Sequence, residues 1–423
     1  MRHNYSPMNQ PRSLFVIGVA AALLAGCPGV RANAAERIAR ASSIQGDSFG
    51  ELQTSAEMPG TSVTIPIRIV SGYIFLDAMV NGNKAVFVLD SGSGADILNA
   101  DSLKRLRIAT NRGKSKEKAT GAGGTTAAFP TVIDKLEVGG IVIEHDPAVA
   151  IPLPSILGCD GLLGYGFLSQ WVTTIDYEKK TLTITQPEVF SAHGVEGLPL
   201  TMIGDVPTVR ASVDGVEGSF QVDTGNGGAI VLTAPFVEKH GLRNNYPARM
   251  ETVTGVGVGG AMKGDLARGK TLTIGGTTIP SPIIDLSRQT QGTFADTRFD
   301  GNLGSQVLSR FVVSLDYPGQ KIYLTPIASL ANRFDYNRSG IGVKMQRGTV
   351  TVVNVTKKSP AELSGIRVGD QLLEVEGQPV REETLLAIPE YFRQAPGTPV
   401  RLTIRRKGDA DSTNVVIVLR DLI

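Results

Sequence analysis

The chain has 423 residues, 19% of them charged, with a formal net charge of +2. So even a balance argues against nucleic acid or an acidic partner, and the length leaves room for about three domains. With 49 glycines and few stretches of helical period, the composition points to a mostly β protein rich in turns.

Arg2, His3 and Arg12 precede an apolar run from Leu14 to Gly26. The run is too short to span a bilayer comfortably and has the length of a signal h-region. Two processing sites compete. Leu24-Ala25-Gly26-Cys27 resembles a bacterial lipobox, in which Cys27 is lipidated and becomes the N-terminus, whereas Ala32-Asn33-Ala34 resembles an ordinary signal peptidase site. The lipobox abuts the apolar run and is preferred. Either route exports the chain: to the bacterial periplasm on a lipid anchor, or as a soluble periplasmic or secreted protein. Residues 1–27 are thus read as a signal peptide and 28–60 as a tether. Cys27 and Cys159 are the only cysteines, so disulfides do not hold the fold, and Cys159 reads as a buried structural thiol.

A first unit is expected over 61–190. Val63–Val70 alternates as a strand. Tyr73–Val80 and Lys84–Leu89 form a hairpin about Asn81-Gly82, a preferred tight turn. The hairpin delivers Asp90-Ser91-Gly92-Ser93-Gly94. Ile97–Asn99 and Ser102–Leu106 read as a short helix. Gly121, Gly123 and Gly124 mark the tip of a glycine-rich hairpin. Gly161-Leu162-Leu163-Gly164 leads into a short helix over Tyr165–Gln170, a strand over Trp171–Ile175, and Asp176-Tyr177.

A second unit over 195–328 repeats the plan, so the chain reads as a doubled fold. Asp205–Ala211 and Gly218–Val222 flank the turn Asp214-Gly215 and deliver Asp223-Thr224-Gly225-Asn226. Ile230–His240 reads as a helix. Gly255, Gly257 and Gly259 mark a second glycine-rich hairpin. Gly301-Asn302-Leu303-Gly304, a strand over Phe311–Leu315 and Asp316-Tyr317 complete the match. Asp160, Asp176, Asp300 and Asp316 also recur, but in strand-to-turn positions that read as structural.

In order and spacing these residues resemble the retropepsin-like aspartic proteases. The resemblance implies two acid-protease β-barrel lobes forming a pseudo-dimer within one chain, a monomer more simply than a homodimer. It implies a catalytic pair of Asp90 and Asp223 that share a proton and activate a water. Ser91 and Thr224 are expected to tie the two turns together through their hydroxyls, and Gly92 and Gly225 to leave room for substrate backbone. Ser93 and Asn226 are expected to donate hydrogen bonds to the outer carboxylate oxygens. The glycine-rich hairpins become mobile flaps over the substrate. No cofactor is implied. No metal is expected either, since His3, His145, His193 and His240 lack ligand spacing with one another or with a cysteine.

The composition changes near residue 338. Thr349–Val355 is β-branched and extended. Ser359-Pro360-Ala361-Glu362 carries the signals of a helix start, and Gly365 those of its end. With Gly369-Asp370-Gln371-Leu372 and a closing strand over Val400–Arg405, residues 338–423 resemble a PDZ domain. This implies a C-terminal peptide held at Gly340, Ile341, Gly342 and Val343. Pro389 falls in the expected second helix, Glu382–Gln394, and should break it or begin a new one.

The expected function is therefore an exported aspartic endopeptidase, a hydrolase of peptides or proteins whose PDZ domain selects substrate or partner. Membrane contact is expected only through the lipid anchor. The competing expectation is a non-catalytic envelope protein that grips peptides with the same lobes and PDZ domain.

Overall fold

The computed structural model describes residues 54–109, 117–346 and 348–423, with the backbone of 13–17 and 20–22. Cys27 and Ala32–Ala34, the two expected processing sites, lie outside the described residues. Ser13–Ile17, at the start of the apolar N-terminal run, runs parallel to Lys118–Gly121.

Strands dominate, as the composition requires. Each unit is built on a tight hairpin: Tyr73–Val80 with Asn83–Leu89, and Val206–Val213 with Val216–Val222. The turns need positive φ at both central positions. Asn81 and Gly82 stand at 49° and 74°, Asp214 and Gly215 at 50° and 83°. Alternate residues then point into the lobes, where Leu76, Phe87 and Leu89 are buried, as are Val209 and Phe220.

In the first lobe the sheet order is Phe129–Val138, Ile141–Ile151, Asp96–Asn99, Gly161–Leu163, Asn83–Leu89, Tyr73–Val80, Arg68–Val70. Gly161–Leu163 is parallel to the strand that ends at the first Asp-Ser-Gly and antiparallel to Asp96–Asn99. Gly301–Leu303 stands in the same relation to Val216–Val222 and Ile230–Leu232 in the second lobe. A third sheet closes the seam. Val172–Asp176 pairs antiparallel with Phe311–Asp316, and Thr174 Oγ1 and Ser314 Oγ share a hydrogen bond of 2.8 Å across it. One apolar cluster runs through both lobes.

Two expected helices differ. Ile97–Asn99 lies in a strand, Asp96–Asn99, followed by turns over 101–107. Ile230–His240 splits into a strand, Ile230–Leu232, and a helix, Ala234–Lys239, whose cap is Thr233. Short apolar runs cannot be told apart as strand or helix by periodicity alone. Here each fills a slot between two strands that are distant in sequence.

The C-terminal sheet runs Ile341–Gln346, Thr349–Val355, Gln371–Val375, Pro399–Arg405, Ser412–Val418. The helix Pro360–Leu363 starts as expected, capped by Ser359, whose Oγ accepts the N–H of Glu362 at 3.3 Å. The expected second helix is broken: a 3-10 segment, Glu382–Ala387, gives way to an α-helix, Ile388–Phe392, with Pro389 in its first turn. At the entry to this domain stands Arg338, which is 1% exposed. Its guanidinium pairs with Asp421 at 2.9 Å and Asp335 at 3.0 Å, and its backbone N–H donates to Phe392 O at 2.8 Å. Among the described residues no helix is long and apolar enough to cross a membrane.

Candidate active site

The two hairpins bring Asp90 and Asp223 face to face. Each carboxyl lies over the opposite turn: a Cβ built on Gly225 would sit 2.3 Å from Asp90 Cγ, and one on Gly92 would sit 2.5 Å from Asp223 Cγ. Glycine is therefore required at both positions by close approach. The turns are locked reciprocally. Ser91 N–H donates to Thr224 Oγ1 at 2.9 Å, and Thr224 N–H donates to Ser91 Oγ at 3.0 Å. The two hydroxyls donate onward, Ser91 Oγ to Val222 O and Thr224 Oγ1 to Leu89 O, both at 2.8 Å. Tyr317 of the repeated Asp-Tyr pair completes the seam, its hydroxyl 3.4 Å from Ser91 O.

The two acids are not equivalent. Asp223 Oδ1 accepts the N–H of Gly225 at 2.8 Å, and its Oδ2 accepts Asn302 Nδ2 at 2.6 Å. Neither oxygen of Asp90 has such a side-chain donor. Burial raises both pKa values. It is the largest cause at Asp90, where the charge of Asp223 adds to it, and Asp90 is held well above the usual carboxyl range. Asp223 is raised to about 6, its burial countered by Asn302, Asp90 and Gly225. Hydrogen bonds to the charged form favour that form. The donors to Asp223 thus favour its charged form over that of Asp90.

Ser93 and Asn226 reach Asp90 and Asp223 through their backbone N–H groups, and their side chains do not fill the expected role. Ser93 Oγ turns to Ala95 O at 2.7 Å, and Asn226 Nδ2 donates to Asn302 Oδ1 at 2.7 Å while Asn226 Oδ1 accepts from Gly228 N. Asn226 orients the donor, and Asn302 makes the contact. The signal was in the sequence: an asparagine in a fully buried strand, at the place where the first lobe has Leu162.

The two glycine-rich hairpins, read as flaps, meet at their tips. Gly123 N–H donates to Val258 O at 2.9 Å, tip to tip. A Cβ on Gly123 would meet the backbone of Gly260 at 2.2 Å, and one on Gly259 the backbone of Gly124 at 2.3 Å. Gly121 and Gly124 end the two strands of the first flap, and Gly257 ends the rising strand of the second. Gly255 lies lower, where the register of the hairpin shifts. Each tip is buried in the opposite lobe: Ala122 against Val231 and Phe294, Val258 among Ala119, Val149 and Leu153. Asp90 and Asp223 have no exposed surface in this state.

A second buried acid pair went unread in the sequence. Asp96 and Asp146 are 0% and 1% exposed. Asp96 Oδ1 accepts Gly164 N–H at 2.6 Å, bracing the loop beside the first turn. Burial raises Asp96 to about 6 and Asp146 well above its usual value, and the charge of Asp96 adds to the shift at Asp146. The other recurring acids are structural. Asp160 accepts Val86 N–H and Asp300 accepts Ser219 N–H, while Asp176 and Asp316 cap their own turns. Cys159 is packed in an apolar cluster, and burial pushes its thiol up to about 12. Among the described residues no group of side chains could hold a metal ion.

In the PDZ domain, Gly340 takes φ 77° and the strand beginning at Ile341 is an edge strand. The N–H of Ile341 donates to Ser339 Oγ at 3.0 Å, so one of the donors expected to hold a carboxylate is engaged within the loop.

Paired Asp-[Ser/Thr]-Gly turns facing each other across a two-lobed β fold define an aspartic-protease architecture. Residues 76–170 match the family model described as "gag-polyprotein putative aspartyl protease", 209–307 that described as "Aspartyl protease", and 339–417 that of the PDZ domain. The chain carries two retropepsin-like aspartic protease domains in tandem and a C-terminal PDZ domain. It is 32% identical over 117 residues to a "Probable CtpA-like serine protease" of Staphylococcus saprophyticus, covering 27% of this chain and 24% of that protein. It is 30% identical over 89 residues to a "Carboxy-terminal-processing protease" of Bartonella bacilliformis, covering 21% of this chain and 20% of that protein. The chain thus spans about a quarter or less of these curated relatives. Among solved structures, basic 7S globulin from soybean is similar over 63% of this chain and 95% of that one, at 11% identity and a TM-score of 0.37.

Proposed function

We propose that this protein is an exported aspartic endopeptidase in which Asp90 and Asp223 form one catalytic pair. The observation that carries the reading is their unequal surroundings: Asp223 accepts a side-chain hydrogen bond from Asn302, while Asp90 is buried with no side-chain donor of that kind. A general base and a general acid are thereby preset in one site. Asp223 takes a proton from water as its oxygen attacks the scissile carbonyl carbon, and Asp90 gives its proton to the carbonyl oxygen. The tetrahedral diol then returns a hydroxyl proton to Asp90. Asp223 passes its proton to the leaving nitrogen as the C–N bond breaks. Both acids end as they began.

Substrate enters when the flap tips part, and their closure excludes bulk water. The PDZ domain supplies a second peptide contact. Export follows from the leader, with lipidation at Cys27. Mass spectrometry of the mature N-terminus tests this: a lipid-modified cysteine supports it, and an unmodified chain starting after Ala34 refutes the anchor.

The deciding experiment is cleavage of an unbiased peptide mixture between pH 3 and 8 by the wild type, Asp90→Asn and Asp223→Asn. Cleavage by the wild type alone supports the pair. Activity in either variant breaks it. A folded, inactive wild type that retains peptides favours the binding-protein alternative.

A further inference from the structure

The PDZ domain is docked against the second glycine-rich hairpin and the first-lobe loop 152–156. A cavity of about 250 Å³ opens between them. Val343 and Met345 of the edge strand Ile341–Gln346, with Leu385, line one side; the second flap, 256–259, and the first-lobe loop 152–156 line the other. Three hydrogen bonds also tie the PDZ domain to the lobes. Asn354 Nδ2 donates to Thr252 Oγ1 in the flap stem at 3.2 Å. Ser71 Oγ lies 2.8 Å from Leu386 O and 2.9 Å from Glu390 Oε1, both on the groove wall. Ser71 in turn touches the second active-site turn: its carbonyl lies 2.4 Å from where a Cβ on Gly227 would stand.

Among the described residues, Ile341–Gln346 pairs with Thr349–Val355 on one side only. Its other edge presents backbone donors and acceptors to an added strand. Val343 and Met345 are half-buried, while Lys344 and Gln346 are exposed.

We infer that an extended peptide with apolar side chains adds along this edge, places one side chain in the cavity and so holds the second flap closed. The occupant is set by the surroundings: a free strand edge calls for a strand, and an apolar cavity of this size takes a single large side chain. The flap is one wall of the cavity, so the peptide fits best when the flap is down. A ligand that prefers one of two states shifts the equilibrium by its differential affinity. This coupling rests on the reading of 249–268 as a flap and of the PDZ groove as a peptide site.

The test uses the full chain carrying Asp90→Asn, so that peptide is not consumed. The probe is a pool of synthetic decapeptides of random sequence ending in Leu, Val or Phe. Retained peptides are expected to slow backbone amide exchange at 256–259 by about 5-fold or more, the lower end of ordinary coupling between sites. Met345→Glu, which places a charge at the cavity, is expected to abolish both retention and flap protection. Retention with protection confined to 341–346, or no retention at all, overturns the inference. The readout is exchange, so an inactive protease would refute the proposed function and leave this result standing.

Discussion

Ser91 and Thr224, 133 residues apart, each accept the other's backbone N–H through a side-chain hydroxyl, at 3.0 and 2.9 Å. The same hydroxyls donate to the carbonyls of Val222 and Leu89, one residue before each aspartate. All four groups are buried, so every bond must be replaced from within the protein if it is lost. Ser91→Ala and Thr224→Ala each strand an N–H and a carbonyl. Each is expected to cost about 1–3 kcal/mol, read as a lower urea midpoint at unchanged slope. Thr224→Ser keeps the hydroxyl and should recover most of the loss.

Removing either acid should silence the site. Asp90→Asn and Asp223→Asn are each expected to lower kcat by about 10²–10⁴-fold or more, the range spanned by general acid–base groups. Circular dichroism should show both variants folded, since the neutral amide relieves the burial of charge that raises both pKa values.

Asn302 should set the acid limb of the pH–rate profile. Its Nδ2 stabilises the charged form of Asp223. Asn302→Leu, which copies Leu162 of the first lobe, removes that donor and raises the Asp223 pKa above about 6. Because Asp223 must be ionised to act, the acid limb of kcat/KM is expected to move to higher pH by about one unit. An unmoved limb would show that Asp223 is not the base.

Stability should fall as pH rises from 5 to 8. Burial raises Asp96 to about 6 and Asp285 to about 7, and Asp146 lies well above its usual value. In the unfolded chain these carboxyls titrate near 3.8. Between the two values the unfolded state binds fewer protons than the folded one, so stability declines with pH. The contribution is whole below the unfolded value and is lost as pH passes the folded values. Asp160 and Asp421 are lowered by their ion pairs, so they act only at more acidic pH. Melting temperature is expected to be higher at pH 5 than at pH 8, and Asp146→Asn or Asp285→Asn should flatten the difference.

Much of the plan was legible because it is local. Asn81-Gly82 and Asp214-Gly215 take the positive φ angles that tight hairpins need, and this placed both aspartates at the ends of strands. Ser359 and Gly365 marked a helix start and stop for the same reason. The strand Asp96–Asn99 was misread as helix because its conformation is imposed by neighbours at Ile141–Ile151 and Gly161–Leu163, not by its own four residues. Arg338 passed unnoticed because its partner Asp421 stands 83 residues away.

By itself the sequence determined the doubled hairpins, the two Asp-[Ser/Thr]-Gly turns and the appended PDZ domain, since turn geometry and strand alternation are written into neighbouring residues. Only the tertiary structure decided that the two acids have unequal hydrogen-bond partners. Asn302 lies 79 residues from Asp223 in the chain and 2.6 Å from it in space. Protonation follows burial and hydrogen-bond partners, and both exist only once distant strands have packed together.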